Sequence, residues 1–224
     1  MRAISRGTSV MTTTRNQRFW NRIAARYAAR PLKNVPAYEA MLADVAARLK
    51  PTDHVLEIGC GTGGTAIRLA PSVAHWTATD FSTEMIAIAK AKPAGDNVTF
   101  MVTDAAQPMG STPFDAICAF NVLHLVDDLP GTLARIHAQL TPGGLLISKT
   151  WCFADTPLKI RALFPVLRLV GLFPVASSLS EPGLRQAILD AGFEIVDQRL
   201  FGEYRQNPYI VAQKPDSAQA AVHL

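Results

Sequence analysis

Short apolar runs rich in β-forming residues alternate with stretches of helical periodicity along the chain after residue 51. Strands that alternate with helices at this spacing are typical of a parallel sheet with helices on both faces. The predicted strands are residues 54–58, 74–80, 97–103, 114–120 and 144–150, and the predicted helices are 64–69, 83–92 and 129–139, with a short irregular piece over 105–109.

The alternation ends after residue 150. Residues 151–180 form an apolar insertion interrupted by prolines, and residues 181–191 have helical periodicity. Two further β-type runs, 193–200 and 209–214, flank a polar turn, which predicts an antiparallel hairpin at the end of the sheet. The pattern therefore predicts one α/β domain with a largely parallel sheet and one long apolar insertion.

An amphipathic helix precedes this domain. Arginines recur every three or four residues from Arg15 to Arg26, beside an apolar stripe of Phe19, Trp20, Ile23 and Tyr27. This spacing predicts a helix from about Asn16 with its stripe buried and its arginines solvated, while contact with anionic lipid or nucleic acid would use the same arginines. We expect a flexible tail over 1–14, a helical cap over 15–50, the α/β domain over 51–214 and a second tail over 215–224.

Composition adds limits to this picture. The chain has 224 residues, of which 49% are hydrophobic and 18% charged, so it can bury the core of one domain. Residues 1–38 carry eight basic and no acidic side chains, whereas the rest carries 14 basic and 18 acidic ones. Three separated cysteines argue against a disulfide scaffold or a metal site and fit a reducing cytoplasm. No uncharged stretch reaches the roughly 18 residues of a membrane span.

A glycine-rich loop follows the first strand. Gly59, Gly61, Gly63 and Gly64 separate that strand from a helix, with the small Cys60 among them. Glycines let the backbone turn sharply and approach a ligand closely. The loop also satisfies the dinucleotide fingerprint G-x-G-x-x-G, which alone is weak evidence, but no Gly-Lys-Ser/Thr follows, so it is not a phosphate-binding P-loop.

Three acidic residues indicate the kind of ligand. Glu57 lies two residues before the first glycine, Asp80 ends the second strand and Asp104 follows the third. A carboxylate at Glu57 would repel a pyrophosphate and suit a cation, and Asp80 is placed to accept hydrogen bonds from ribose hydroxyls. Asp104 with the backbone of Ala105 could hold an adenine edge. Together they predict a ligand with a ribose, an adenine and a positive charge.

This constellation resembles the class I S-adenosylmethionine-dependent methyltransferases. The similarity covers roughly residues 51–214, with 55–65 like the family's first motif, Asp80 like its ribose acid, 102–105 like its adenine segment, and 114–124 and 140–145 like its fourth strand and the turn into the fifth. The resemblance implies a Rossmann-like seven-stranded sheet of order 3-2-1-4-5-7-6 with strand 7 antiparallel. It also implies S-adenosylmethionine as cofactor and S-adenosylhomocysteine as product.

The N-terminal helix is most similar to that of the ubiquinone/menaquinone-biosynthesis type of small-molecule methyltransferase. Tyr27 would then lie over the methionine end of the cofactor, where a sulfonium is favoured by an aromatic face, or would simply hold the helix down. The resemblance also implies cofactor contacts from Phe81, Met85 and Asn121. His124 follows the fourth strand and is the candidate general base, with a structural role in the loop as the alternative.

The insertion and the N-terminal helix are the segments expected to select the acceptor. Long loops inside compact domains are often functional lids, and one this apolar favours a hydrophobic or aromatic small molecule. A cap on the core or a dimer contact is the alternative. We therefore expect a cytoplasmic enzyme, monomeric or homodimeric, that methylates a small hydrophobic acceptor.

Other functions would use the same fold. The arginine helix would suit an RNA methyltransferase, although no appended RNA-binding module is recognisable and nucleic acid is an unlikely partner. It would equally suit a phospholipid-headgroup methyltransferase that contacts a membrane peripherally. A non-catalytic cofactor-binding regulator is the remaining alternative.

Overall fold

The computed structural model describes residues 5–105, 107, 112–169 and 173–216. In this part of the chain the strands are β1 His54–Ile58, β2 His75–Asp80, β3 Val98–Val102, β4 Phe114–Phe120, β5 Leu140–Lys149, β6 Glu194–Arg199 and β7 Tyr209–Gln213. The helices are α1 Ser5–Ala28, α2 Val35–Arg48, α3 Gly64–Leu69, α4 Thr83–Lys90, α5 Leu129–Gln139, α6 Leu158–Arg161, α7 Phe164–Leu169 and α8 Glu181–Asp190, with 3₁₀ turns at Ala70–Ser72 and Phe153–Asp155.

All seven strands form one sheet, in the order β3-β2-β1-β4-β5-β7-β6. The first five strands pair in parallel, and β7 runs antiparallel to both β5 and β6. The predicted strand order and the antiparallel seventh strand are therefore confirmed. The carboxyl ends of β1, β2, β3 and β4 lie along one edge of the sheet, where ligands of open α/β folds bind.

Helices cover both faces of the sheet because its central strands are apolar on both sides. Val55 and Leu56, adjacent in β1, are both fully buried and belong to different hydrophobic clusters. The first cluster joins the sheet to α2, α3 and α4, and the second joins it to α5 and α8. This continuous burial is the usual state of a parallel strand between two helical layers.

The starts of two elements, β5 and α1, differ from those predicted from the sequence pattern. The strand β5 begins at Leu140, four residues before the predicted start, because Leu140 pairs with Phe114 across an irregularity in the β4–β5 register. The helix α1 begins at Ser5, so much of the segment expected to be a flexible tail is helical. The expected start near Asn16 was wrong because the amphipathic stripe marks only the part of a helix that packs, and a helix can extend beyond it.

Some expectations lie partly outside the described residues. The predicted irregular piece over 105–109 contains only two described positions, Ala105 and Gln107. Residues 1–4 and 217–224, the ends of the two predicted tails, also lie outside the described ranges.

Candidate functional site

The glycine loop between β1 and α3 has three residues in the left-handed region, and two of them are required by packing. A Cβ on Gly59 (φ +67°) would lie 2.5 Å from a methyl carbon of Val122, and one on Gly63 (φ +76°) would lie 2.7 Å from the ring of Phe100. Both distances are too short for real atoms, so these two glycines allow close packing within the protein. Gly61 differs from them because a Cβ built there would make only an ordinary van der Waals contact with its nearest neighbour.

Gly61 faces the ring of Tyr27. Its φ is +55°, and the nearest atom to a Cβ built there is a ring carbon of Tyr27 at 3.8 Å. Tyr27 comes from the last turn of α1 and is 45% exposed. Its phenol pKa is raised, first by burial and then by the nearby carboxylate of Asp80. The N-terminal helix therefore brings an aromatic ring over the glycine that is free of packing constraints.

Asp80 joins the glycine loop to the loop after β2. One carboxylate oxygen accepts a hydrogen bond from the Gly61 N–H at 2.9 Å, and the other accepts one from the Ser82 N–H at 2.8 Å. Asp80 is 7% exposed, and burial raises its pKa despite these two donors. Each carboxylate oxygen retains a further lone pair. The side chain is thus held rigidly with acceptor capacity left for a ligand's hydroxyl groups.

Glu57 lies in β1, two residues before the glycine loop, and is buried. It is 2% exposed, and the indole Nε1 of Trp76 donates to its carboxyl group at 3.1 Å. Burial, with a smaller contribution from the charge of Asp80, raises the pKa of Glu57 to about 8 although the Trp76 hydrogen bond opposes the shift. A buried acid of this kind is ionised far more easily when a cation lies nearby.

The other residues near the loop differ in accessibility. Cys60 is buried, and burial raises the pKa of its thiol well above the ordinary value, which leaves it unreactive. Met85 is 1% exposed within α4, whereas Phe81 is half-buried. Of these three, Phe81 is the most available to a ligand.

The end of β3 lies beside Asp80. The Thr103 N–H donates to the Asp80 carbonyl at 3.0 Å, and Asp104 and Ala105, both half-buried, come next in the chain. The predicted adenine segment is thus adjacent to the predicted ribose acid. Asn121, directly after β4, is exposed and has a φ of +56°, the only positive φ of a non-glycine residue in the described chain. A strained backbone at a strand end is frequent at functional sites.

His124 is buried beneath the insertion. It is 6% exposed, and its ring packs edge-on against Phe153 with centroids 5.2 Å apart. Its Nδ1 atom has no hydrogen-bond partner among the described residues. Burial lowers the pKa of the imidazole to about 4, so at neutral pH the ring is uncharged. A neutral imidazole has one nitrogen able to accept a hydrogen bond.

Phe153, which packs against His124, belongs to a group of ring side chains of the insertion. We call this group, Trp151, Phe153, Phe164 and Phe173, the aromatic cluster. Phe164 and Phe173 stack with centroids 4.9 Å apart, and Phe153 meets both edge-on. Trp151 lies between Phe153 and Tyr204, and its indole N–H is buried without a partner in the described structure. The insertion thus provides an apolar, ring-lined surface beside an unpartnered imidazole nitrogen.

Several residues near the candidate site were not predicted from the sequence. Tyr38 in α2 places its hydroxyl 3.1 Å from the Thr65 hydroxyl at the start of α3, close to Gly64. Three amide side chains of α1, Asn16, Gln17 and Asn21, bond to segments far along the chain. The only sequence signal for Tyr38 is that it is an aromatic residue in the helical cap, as Tyr27 is.

Two kinds of feature are absent from the described ranges, a cluster of metal-ligating side chains and a membrane-spanning helix. No group of three or more His, Cys, Asp or Glu side chains there is arranged to hold a metal ion. No helix in the described part of the chain has the length and apolarity needed to cross a membrane.

Comparison with known proteins identifies the fold and relatives. A family model described as "Methyltransferase domain" matches residues 19–198. The magnesium protoporphyrin IX methyltransferase of Synechocystis PCC 6803, solved with bound S-adenosylhomocysteine, superposes with a TM-score of 0.64 over 92% of this chain and 97% of that one, at 22% identity. At 22% identity, this similarity shows a shared fold and nothing more specific.

Two curated relatives share more sequence over shorter regions. A reducing polyketide synthase of Preussia isomera is 36% identical over 43% of this chain and 5% of its own length. The ubiquinone/menaquinone biosynthesis C-methyltransferase of Desulfotalea psychrophila is 32% identical over 51% of this chain and 46% of its own. The matched region thus spans less than half of each of these two relatives.

Proposed function

The chain belongs to the class I S-adenosylmethionine-dependent methyltransferase family, and on that premise we propose that it transfers a methyl group from S-adenosylmethionine to a small hydrophobic or aromatic acceptor. The observation that carries the proposal is the convergence of Gly61, Asp80 and Tyr27 at the carboxyl edge of the sheet. The C-methyltransferase relative and the neighbour solved with S-adenosylhomocysteine support the same chemistry.

The residues present fit this methyl donor. Asp80 would accept hydrogen bonds from the ribose hydroxyls, because both its oxygens are fixed by backbone donors and retain lone pairs. Asp104 and Ala105 would hold the adenine edge. Gly61 leaves room for close approach, and Tyr27 would cover the methionine end, where its ring favours a positive charge.

Glu57 supports a cationic ligand over a phosphorylated one. Burial and the nearby charge of Asp80 raise its pKa, so the uncharged acid would ionise when a cation binds beside it. No lysine or arginine follows the glycine loop at the spacing of a P-loop. A sulfonium nucleoside would therefore be attracted by Asp80 and would favour ionisation of Glu57. A diphosphate would be repelled by Asp80, although Lys92 Nζ donates to the Thr62 carbonyl of the glycine loop at 2.6 Å.

The bound donor would supply an electrophilic methyl group, and the acceptor's nucleophile would displace a neutral thioether from it in line. The protein's contribution is orientation and exclusion of water, which together can supply several kcal/mol. The aromatic cluster would hold a flat apolar acceptor, and His124 Nδ1 would accept a hydrogen bond from its hydroxyl or amine. Because a pKa of about 4 makes His124 a weak base, we assign it first to orienting the acceptor.

A small-molecule acceptor fits better than RNA or a lipid headgroup. The ring packed against His124 is Phe153 of the insertion, and the arginines of α1 lie on the exposed face of that helix. A regulator that binds the cofactor without turnover would have no need of an acceptor surface. These rivals are separated by assay, since each predicts a different acceptor or none.

The test begins with binding. Isothermal titration of S-adenosylhomocysteine should give saturable binding to the wild-type protein, and Asp80→Asn should weaken it at least about tenfold, because a hydrogen bond to a charged group contributes roughly 1.5–3 kcal/mol. Asp190→Asn, on the exposed end of α8, is the matched control and should bind as the wild type does. Unchanged affinity in Asp80→Asn would show that the ribose assignment is wrong.

Turnover is tested separately with S-adenosylmethionine that carries a label in its methyl group. Label should pass to members of a panel of apolar phenols, quinols and amines, and not to RNA or phosphatidylethanolamine vesicles. Transfer to RNA alone would reverse the choice of acceptor. Binding of the donor with no transfer to any acceptor class would favour the regulator.

A further inference from the structure

Asn16 makes an unusual pair of hydrogen bonds with the distant insertion. Its side-chain Nδ2 donates to the Val175 carbonyl at 3.0 Å, and its Oδ1 accepts from the Val175 N–H at 2.9 Å. The side chain is 2% exposed, on a helix whose neighbouring Arg15 and Arg18 are exposed. One amide thus satisfies both backbone groups of a residue 159 positions away.

The bonded segment continues to His124. Ser177, two residues after Val175, donates from its N–H at 2.8 Å and from its hydroxyl at 3.1 Å to the His124 carbonyl. Phe173, two residues before Val175, stacks in the aromatic cluster whose Phe153 covers the His124 ring. Residues 173–177 therefore connect the α1 helix, the cover of His124 and the loop that carries His124.

The same helix holds the donor side of the site. Gln17 donates from Nε2 to the Phe81 carbonyl at 2.7 Å, and the Ser82 hydroxyl donates to Asn21 Oδ1 at 2.6 Å. Both contacts lie in the loop that follows Asp80. Adjacent residues of α1 thus bond in different directions, Asn16 to the acceptor side and Gln17 to the donor side.

We propose that Asn16 is a positioning residue that holds the insertion closed over His124 and so sets access to the acceptor subsite. The proposal rests on the proposed function, because it assigns His124 and the aromatic cluster to the acceptor. Asn16 touches neither His124 nor the glycine loop directly. It acts through Val175 and the two bonds of Ser177.

The alternative is that the Asn16 pair only stabilises the fold. The two roles are distinguished by where a substitution has its effect. If Asn16 positions the insertion, its loss exposes His124 locally and leaves the donor side intact, because Gln17 and Asn21 still hold α1 to the loop after β2. If the pair is merely structural, its loss lowers global stability and leaves the reactivity of His124 in the folded protein unchanged.

The test measures the accessibility of His124 by its carbethoxylation with diethyl pyrocarbonate, followed by peptide mapping. The reagent attacks neutral imidazole, and His124 is neutral at pH 6.5 because its pKa is about 4. In Asn16→Ala we expect the rate at His124 to rise roughly 30-fold, because two hydrogen bonds of about 1 kcal/mol each oppose opening. The exposed His54 should react at the same rate in every variant and is the internal control.

Two further variants keep the test decisive. Asn16→Gln retains an amide and should restore slow modification in part, whereas Asn16→Asp retains the size but would face the Val175 carbonyl with an anion and should behave like Asn16→Ala. Affinity for S-adenosylhomocysteine should remain within twofold of wild type in all three, while Gln17→Ala should weaken it. An unchanged His124 rate in both Asn16→Ala and Asn16→Asp would overturn the proposal.

Failure of the proposed function gives a different result. If the protein did not bind S-adenosylhomocysteine at all, the donor assignment would fail although the carbethoxylation rates could still follow the prediction. If the donor bound normally and the rates did not change, only the role of Asn16 would fail.

Discussion

Replacing Glu57 by Gln should make the protein more stable at high pH, which is the reverse of the usual effect of removing a buried hydrogen-bonded group. The Glu57 carboxyl is 2% exposed, and its pKa is about 8 in the folded protein against 4.5 for an unperturbed glutamate. Between these two values the folded state holds a proton that the unfolded state has lost. The free energy of unfolding therefore falls as pH rises from about 4.5 to 8.

The magnitude follows from the size of the shift. Each pH unit in this window costs about 1.4 kcal/mol, so the whole interval amounts to about 5 kcal/mol as an upper bound. Between pH 6 and pH 9 the loss attributable to Glu57 is about 3 kcal/mol, because only the two units below its folded pKa contribute. In Glu57→Gln the amide resembles the protonated acid and its oxygen can still accept from Trp76, so this loss should be absent.

The assay is urea unfolding of both proteins without ligand at pH 6 and pH 9. The difference between wild type and Glu57→Gln isolates Glu57, because other titrating groups are common to both. Glu39→Gln is the matched control, since Glu39 is exposed and its Arg68 partner keeps the pKa of its carboxyl below the ordinary value. A parallel pH dependence in wild type and Glu57→Gln would refute the burial argument.

Three further predictions concern the His124 side chain, the pH dependence of turnover and the Gly59 position. His124→Ala should lower turnover at least about tenfold, whereas calorimetry should show less than a twofold change in S-adenosylhomocysteine affinity. Turnover equal to that of the wild type would mean that His124 has only a structural role. Because the pKa of His124 is about 4, wild-type turnover should show no loss from His124 protonation until pH falls below about 5. Gly59→Ala should lower the urea-derived stability by about 1–3 kcal/mol, through positive φ and overlap with Val122, whereas Gly95→Ala (negative φ) should cost less.

The core of the fold could be predicted from local pattern. The strand β1, the helix α3 and the helix α5 have the boundaries that the sequence indicates, because each is an apolar segment ended by glycine, proline or a capping residue. The family resemblance, rather than periodicity, supplied the strand order. It is confirmed, as are the seven-stranded sheet and the family itself.

The site was predicted less completely, because its geometry depends on contacts between remote segments. The sequence predicts cofactor contacts from Gly59, Gly61 and Gly63. Only the structure shows that Val122 and Phe100 occupy the space beside Gly59 and Gly63, whereas Tyr27 is the nearest neighbour of Gly61. The sequence placed Glu57 two residues before the first glycine, and only packing shows that the side chain is buried beside Trp76. Neither outcome has a local signal.

By itself the sequence determined which segments form strands and helices and which acids end the strands, since a buried face imposes a period on the residues that form it. Only the tertiary structure decided that Asn16 bonds to Val175, that the insertion covers His124 and that Glu57 retains its proton at neutral pH. Periodicity reports how one segment divides between core and solvent. It contains no information about which distant segment completes a polar side chain's hydrogen bonds or removes it from water.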